Sequence, residues 1–330
     1  MKICIVKLSA MGDIIHAMVA LEFIKKNIPN AMVDWVVEAG FRGILENNPN
    51  IDNILPLNLK SIKSDKSKII SQYKLVKEYA KNNYDIVIDA QGLIKSAIVS
   101  KLLGGNKTVG FDKESTREGL ASLFYNETIN IKYEANAIDR NMAVICKPLG
   151  IEYKKEDILN KHSFLFFPQD KNIDIDFKIV LVVGASRENK VYPKEKFLEL
   201  VEILKEKTLV VWGNDEEHKV ALYLSENSSY VSVAPKGNLD SLKMVISKAT
   251  IVIGGDTGPT HIAWGLNIPS ITIFGNTPEY RNTYITPINQ VIKSDSKVNP
   301  LKLDYTDFSI KEIKPEDIAN IYKIICSTKI

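Results

Sequence analysis

The sequence predicts an α/β protein made of two Rossmann-like domains, and three observations carry that expectation. Short apolar runs alternate with longer helix-like stretches through both halves of the 330 residues. At 45% hydrophobic and 25% charged residues, the chain can bury two ordinary cores. Each half also holds a strand–turn–helix junction with a glycine in the turn. One is Ser9-Ala10-Met11-Gly12-Asp13, and the other is Gly254-Gly255-Asp256-Thr257-Gly258-Pro259-Thr260-His261.

In the first half, apolar runs predict strands at 3–6, 33–37, 54–57, 86–89 and 108–111. Helical spacing is found at 14–26, 68–82, 93–103 and 135–149. This alternation indicates a parallel sheet covered by helices on both faces. The rhythm breaks from 149 to 177, a polar stretch containing Pro168 that reads as the linker. The domains are therefore expected at 1–160 and 161–330. Strands resume at 179–183, 209–212, 231–233, 251–253 and 271–274, and helices at 194–205, 216–224, 239–248 and 259–266. A last helix, 315–325, follows a long irregular stretch and is expected to pack back on the N-terminal domain.

Composition narrows the class. A net charge of +3 does not call for nucleic acid. Cys4, Cys146 and Cys326 are far apart, odd in number and set in apolar contexts, which predicts buried thiols in a reducing compartment. Met1-Lys2 runs directly into a strand, no apolar stretch is long enough to span a bilayer, and neither CxxC nor HExxH occurs. A cytoplasmic protein without a structural zinc is expected.

The second junction is an anion site in outline. Thr257 is placed to cap the following helix, Pro259 suits its first turn, and Gly258 has no side chain to block an approaching diphosphate. A dehydrogenase is disfavoured because no two glycines are spaced as G-x-G, and the Walker A pattern is absent as well. Two Rossmann-like domains with a phosphate turn in the second suggest a nucleotide-sugar transferase. The donor would sit on the C-terminal half and the acceptor on the N-terminal half.

Lys7-Leu8-Ser9-Ala10-Met11-Gly12-Asp13-Ile14-Ile15-His16 resembles the opening of the bacterial lipopolysaccharide heptosyltransferases. Asp34-Trp35-Val36-Val37-Glu38, Asp89-Ala90-Gln91-Gly92-Leu93-Ile94-Lys95-Ser96 and residues 117–126 resemble the type I branch of that family. Asp256-Thr257-Gly258-Pro259-Thr260-His261 is similar to the donor-site motif of the whole family. The resemblance implies a GT-B fold, with two domains facing across a cleft, and an inverting, metal-independent transfer needing no cofactor. The implied donor is ADP-L-glycero-β-D-manno-heptose, and the acceptor is the first Kdo of Kdo2-lipid A.

Asp13, at a helix start, can either complement the dipole or act as general base, and the resemblance assigns it the base. Met11 and Gly12 would line the acceptor approach. Lys190 follows the first strand of the second half, where a cation can neutralise a departing diphosphate. The resemblance supports it, with Ser186 and Arg187 as further donor-site groups. It also places a carboxylate on the ribose at Glu217, with Glu216 one position away, and Met244 beside adenine. Asp256 would bind sugar hydroxyls, and Thr257, Gly258 and His261 the diphosphate. Lys60, Lys63 and Arg117 match basic acceptor positions, whereas Ser61 and Ser64 depart from them, and Lys66 and Lys68 can compensate or simply be solvated. The same cations can hold a monomer against the anionic inner leaflet of the membrane. Asp174-Ile175-Asp176 lies in the linker and reads poorly as a metal site. The alternatives left open are a type II heptosyltransferase acting on a heptosylated acceptor, a non-hydrolysing nucleotide-sugar epimerase, and a nucleotide sensor.

Overall fold

A computed structural model describes residues 1–168 and 175–327. The chain divides into two compact units, Met1–Phe166 and Phe167–Ile330.

The first unit holds six strands: β1 Lys2–Val6, β2 Met32–Glu38, β3 Asn53–Leu57, β4 Ile86–Asp89, β5 Lys107–Phe111 and β6 Glu127–Ile129. They form one parallel sheet in the order β3-β2-β1-β4-β5-β6. The second unit repeats the plan with β7 Ile179–Val182, β8 Thr208–Val211, β9 Val231–Val233, β10 Ile251–Gly255, β11 Ser270–Phe274 and β12 Asn289–Lys293. Its order is β12-β11-β10-β7-β8-β9, again parallel throughout. Central strands such as β1, β4, β7 and β10 are almost wholly apolar because helices cover both faces. In both sheets the strand order reverses once, between β1 and β4 and between β7 and β10. In a doubly wound sheet the ligand crevice lies at the carboxyl ends of the strands flanking such a reversal.

Several expectations are corrected. The single helix expected over 14–26 is two, Met11–Met18 and Ala20–Asn27. Much of the predicted linker belongs to the first unit: Ile158, Phe164 and Leu165 are buried, and Asn48 Nδ2 donates to the Phe164 carbonyl at 3.0 Å. The final helix, Pro315–Ser327, packs on helix Lys194–Leu204 of its own unit, with Ile318, Ala319 and Ile325 in that unit's core. Those buried residues have their apolar partners within that unit. Cys4 and Cys146 are buried, but Cys326, near the end of that helix, is exposed. Asp174 lies outside the described residues, and Asp176 pairs with Lys207.

Candidate active site

The first reversal point carries Asp13. Helix Met11–Met18 begins two residues after Ser9, and Asp13 occupies its third position. The Ala10 N–H donates to Asp13 Oδ2 at 3.2 Å, and the Ile14 N–H to the Ala10 carbonyl at 2.9 Å. Met11, Gly12 and Asp13 are all partly exposed, so the carboxylate stays within reach of solvent. The turn before it is clamped from β4. Gln91 Oε1 accepts the Leu8 and Ser9 N–H groups, each at 3.0 Å, and the buried Lys7 ammonium donates to the Ala90 carbonyl at 2.8 Å. Asp89 in turn accepts from the Gln91 and Gly92 N–H groups and from the Tyr125 hydroxyl, at 2.8, 3.1 and 2.7 Å. Burial raises the Asp89 carboxyl above its ordinary range, against the pull of those hydrogen bonds. The Asp-Ala-Gln-Gly segment therefore works as a brace for the turn that presents Asp13.

The second reversal point is more highly charged. Lys190 ends a short turn, Glu188–Lys190, after β7, and Asp256 follows β10 directly. Their ion pair measures 2.8 Å, with side chains only 14% and 6% exposed. Asp256 Oδ2 also accepts from Thr277 Oγ at 3.0 Å and Asn282 Nδ2 at 2.9 Å, and His261 Nε2 lies 3.1 Å from Oδ1. Three of these four partners meet Oδ2 and one meets Oδ1. Burial alone would raise the Asp256 carboxyl. The Lys190 ammonium and then His261 overcome burial and hold it well below the usual carboxylate range.

Thr257 occupies the N-cap position of helix Gly258–Gly265 with extended backbone, as expected, but its hydroxyl does not cap the helix. Thr257 Oγ is buried without a hydrogen-bond partner. The amino end of this helix, with Pro at its first turn, keeps backbone N–H groups unclaimed by a side-chain cap, which suits an incoming anion. His261 turns its ring onto Asp256.

Glu217 and Glu216 separate clearly. Asn214 caps helix Asp215–Asn227 by accepting the Glu217 N–H at 3.0 Å, and Glu217 reaches back to the Gly213 N–H at 2.7 Å and to Asn214 Nδ2 at 2.8 Å. This return places its carboxylate over Gly184, just past β7, where any Cβ would overlap it. Glu216 instead points outward to Lys219 at 2.6 Å. Met244 is buried in helix Leu239–Ser247, which packs on helix Gly258–Gly265.

Ser186 and Arg187 lie exposed on the β7 loop, the Arg187 guanidinium 4.2 Å from the centre of the Tyr305 ring. Asn189 Nδ2 donates to the Tyr305 carbonyl at 3.2 Å, which fixes that loop to the segment carrying the ring. In the first unit Lys60 and Lys63 are exposed beyond β3. The Lys60 N–H donates to Glu38 Oε1 at 2.8 Å, and its ammonium lies 4.8 Å from the Phe41 ring centre. Arg117 is exposed after β5, 5.4 Å from the Tyr133 ring centre.

The structure thus gathers Lys190, Asp256, His261, Thr257 and Gly258 at one strand-end site and sets Asp13, Met11 and Gly12 at the other. Thr277 and Asn282 escaped the sequence reading. Neither has a spacing signal, and both follow β11, a strand that is adjacent to β10 only in the folded sheet.

Two doubly wound parallel sheets, with a lysine and an uncapped helix start at the second reversal, define a glycosyltransferase of the GT-B class. The chain belongs to glycosyltransferase family 9 (heptosyltransferase), whose model matches residues 72–305. It is 40% identical over 342 aligned residues to lipopolysaccharide heptosyltransferase 1 of Campylobacter coli, covering 98% of each chain. It is 34% identical to lipopolysaccharide heptosyltransferase 1 of Escherichia coli K12, covering 84% of this chain and 88% of that one. The E. coli heptosyltransferase WaaC, solved with ADP, is similar at a TM-score of 0.83 and 28% identity, covering 98% of this chain and 100% of that chain. The same enzyme has been solved with ADP-2-deoxy-2-fluoro heptose.

Proposed function

We propose that this protein transfers L-glycero-D-manno-heptose from its ADP-activated form to the first Kdo of Kdo2-lipid A, with inversion and without a metal. The observation that carries this reading is the buried Lys190–Asp256–His261 cluster at the second reversal point, beside an uncapped helix start. It offers a cation and a helix start without a side-chain cap to a diphosphate, and the similar chains of Campylobacter coli and E. coli are heptosyltransferases 1. Type II and epimerase readings are not favoured by that similarity.

In the proposed reaction, Lys190 turns from Asp256 to the diphosphate as the donor binds. That exchange opens Asp256 Oδ2, beside the less crowded Oδ1, to a heptose hydroxyl, while Thr277, Asn282 and His261 keep the carboxylate in place. As the bond from heptose C1 to the diphosphate oxygen breaks, negative charge grows on ADP. Lys190, Ser186 and the Gly258 N–H of the Thr257–Gly258 turn stabilise it, the Thr257 N–H being donated to the Gly255 carbonyl at 2.8 Å. Asp13 accepts the proton of the Kdo hydroxyl as the new bond to C1 forms. Glu217 holds the ribose, and Lys60, Lys63 and Arg117 hold the anionic acceptor. The protein works at the cytoplasmic face of the inner membrane; no helix among the described residues is long and apolar enough to cross a membrane.

The test is ADP release from ADP-heptose, in EDTA, with and without O-deacylated Kdo2-lipid A. Acceptor-dependent release with a heptose-sized mass gain on the acceptor is expected. Turnover only on a heptosylated acceptor would move the assignment to type II, and silence with both acceptors would end it.

A further inference from the structure

Outside both strand-end sites, the most unusual surface is the start of helix Lys68–Tyr79. Ile69, Ile70 and Tyr73 are 50%, 64% and 49% exposed, and Val76 is the only buried side chain of the helix. Positions 69, 70 and 73 share one side of the helix because residues three and four apart are neighbours on its surface. A helix turned wholly to water carries polar groups there, and a helix packed on a core buries such residues. This helix packs its second half on the core through Leu75, Val76 and Tyr79, yet leaves the apolar residues of its first half in water.

The surroundings indicate what covers the patch. Between residues 60 and 77 stand six lysines, Lys60, Lys63, Lys66, Lys68, Lys74 and Lys77, all exposed, against one acid, Asp65. Asp65 is engaged locally, its Oδ1 accepting the Ser67 hydroxyl at 2.6 Å and the Ser67 N–H at 3.0 Å. Apolar side chains ringed by cations match a lipid surface with anionic headgroups: the former enter the headgroup boundary and the latter meet phosphates. A second copy of the chain fits poorly, since a two-fold contact would bring the same lysines against each other.

We propose that Ile69, Ile70 and Tyr73 insert into an anionic bilayer and that the lysines around them engage its phosphates, making this helix start the membrane-docking surface of the first unit. The inference deepens the membrane part of the reading above, and its test is separate from heptose transfer. The full chain is floated with vesicles of phosphatidylglycerol and phosphatidylethanolamine, or of phosphatidylcholine alone, over a range of salt.

Binding to the anionic vesicles alone, weakening as salt rises, is expected. Ile69→Ser/Ile70→Ser should weaken it about tenfold or more while transfer to the water-soluble O-deacylated acceptor is unchanged. Lys66→Ser/Lys74→Ser should flatten the salt dependence. Equal binding by wild type and the isoleucine variant would overturn the proposal, as would absence of binding by wild type. So would a concentration-dependent dimer abolished by the isoleucine variant without any vesicle binding. Vesicle binding without transfer would defeat the functional reading alone; transfer without vesicle binding would defeat the docking surface alone.

Discussion

The two reversal points share a topology and differ in what they do with a carboxylate. At the first, Asp13 is partly exposed and accepts from the Ala10 N–H at the end of its own helix. At the second, Asp256 is buried and held by Lys190, His261, Thr277 and Asn282. A base must be reachable and have a lone pair to spare. A scaffold carboxylate must be fixed, ionised and surrounded by donors. In the proposed reaction the same Rossmann plan therefore supplies the base in one unit and an electrostatic anchor in the other.

Removing the base should have the largest effect. Asp13→Asn is expected to lower transfer roughly 10²–10⁴-fold, the usual contribution of a positioned general base. ADP-heptose binding, measured by calorimetry, should stay near wild type.

At the anchor, chemistry and stability are coupled. Lys190→Met should lower turnover about 10²–10³-fold, and it should cost about 3 kcal/mol in denaturant unfolding because the Asp256 charge is left buried without its ammonium partner. Adding Asp256→Asn should recover much of that stability and none of the turnover. A single variant as stable as wild type would mean that the pair is not a buried anchor.

The depressed Asp256 carboxyl makes the anchor sensitive to acid. Its contribution to stability is fully present above the unfolded carboxylate value, about 3.9, and is lost as pH falls toward the lower folded value. The stability gap between wild type and Asp256→Asn should be wide at neutral pH and close in strong acid. A gap independent of pH would contradict the ion pair.

Smaller effects separate the supporting groups. Asn282→Ala and Thr277→Val should each cost about 1–3 kcal/mol in stability or donor affinity, read as a raised KM for ADP-heptose. Glu217→Gln should raise that KM modestly, whereas Glu216→Gln, which alters only a surface pair, should leave it unchanged.

The central strands, the parallel plan and the residues beside the glycine turns were legible because buried strands read as apolar runs and anion turns need glycine. Strands β6 and β12 were not read. Glu-Thr-Ile and Asn-Gln-Val-Ile-Lys are short edge strands with little apolar signal. The Thr257 side-chain cap was misread because a threonine before a helix usually caps it, whereas here the hydroxyl stays unpaired. Thr277 and Asn282 were invisible because their role comes from β11 lying beside β10. The break in rhythm after residue 149 read as a linker, although Ile158, Phe164 and Leu165 are core residues.

The most direct test of the contrast is to measure donor binding and heptose transfer side by side for Asp13→Asn and Lys190→Met. A crossed result is predicted: Asp13→Asn keeps ADP-heptose binding and loses transfer, and Lys190→Met loses both. Transfer by Asp13→Asn at the wild-type rate, or donor binding by Lys190→Met at wild-type affinity, would contradict the division of roles between the two sites.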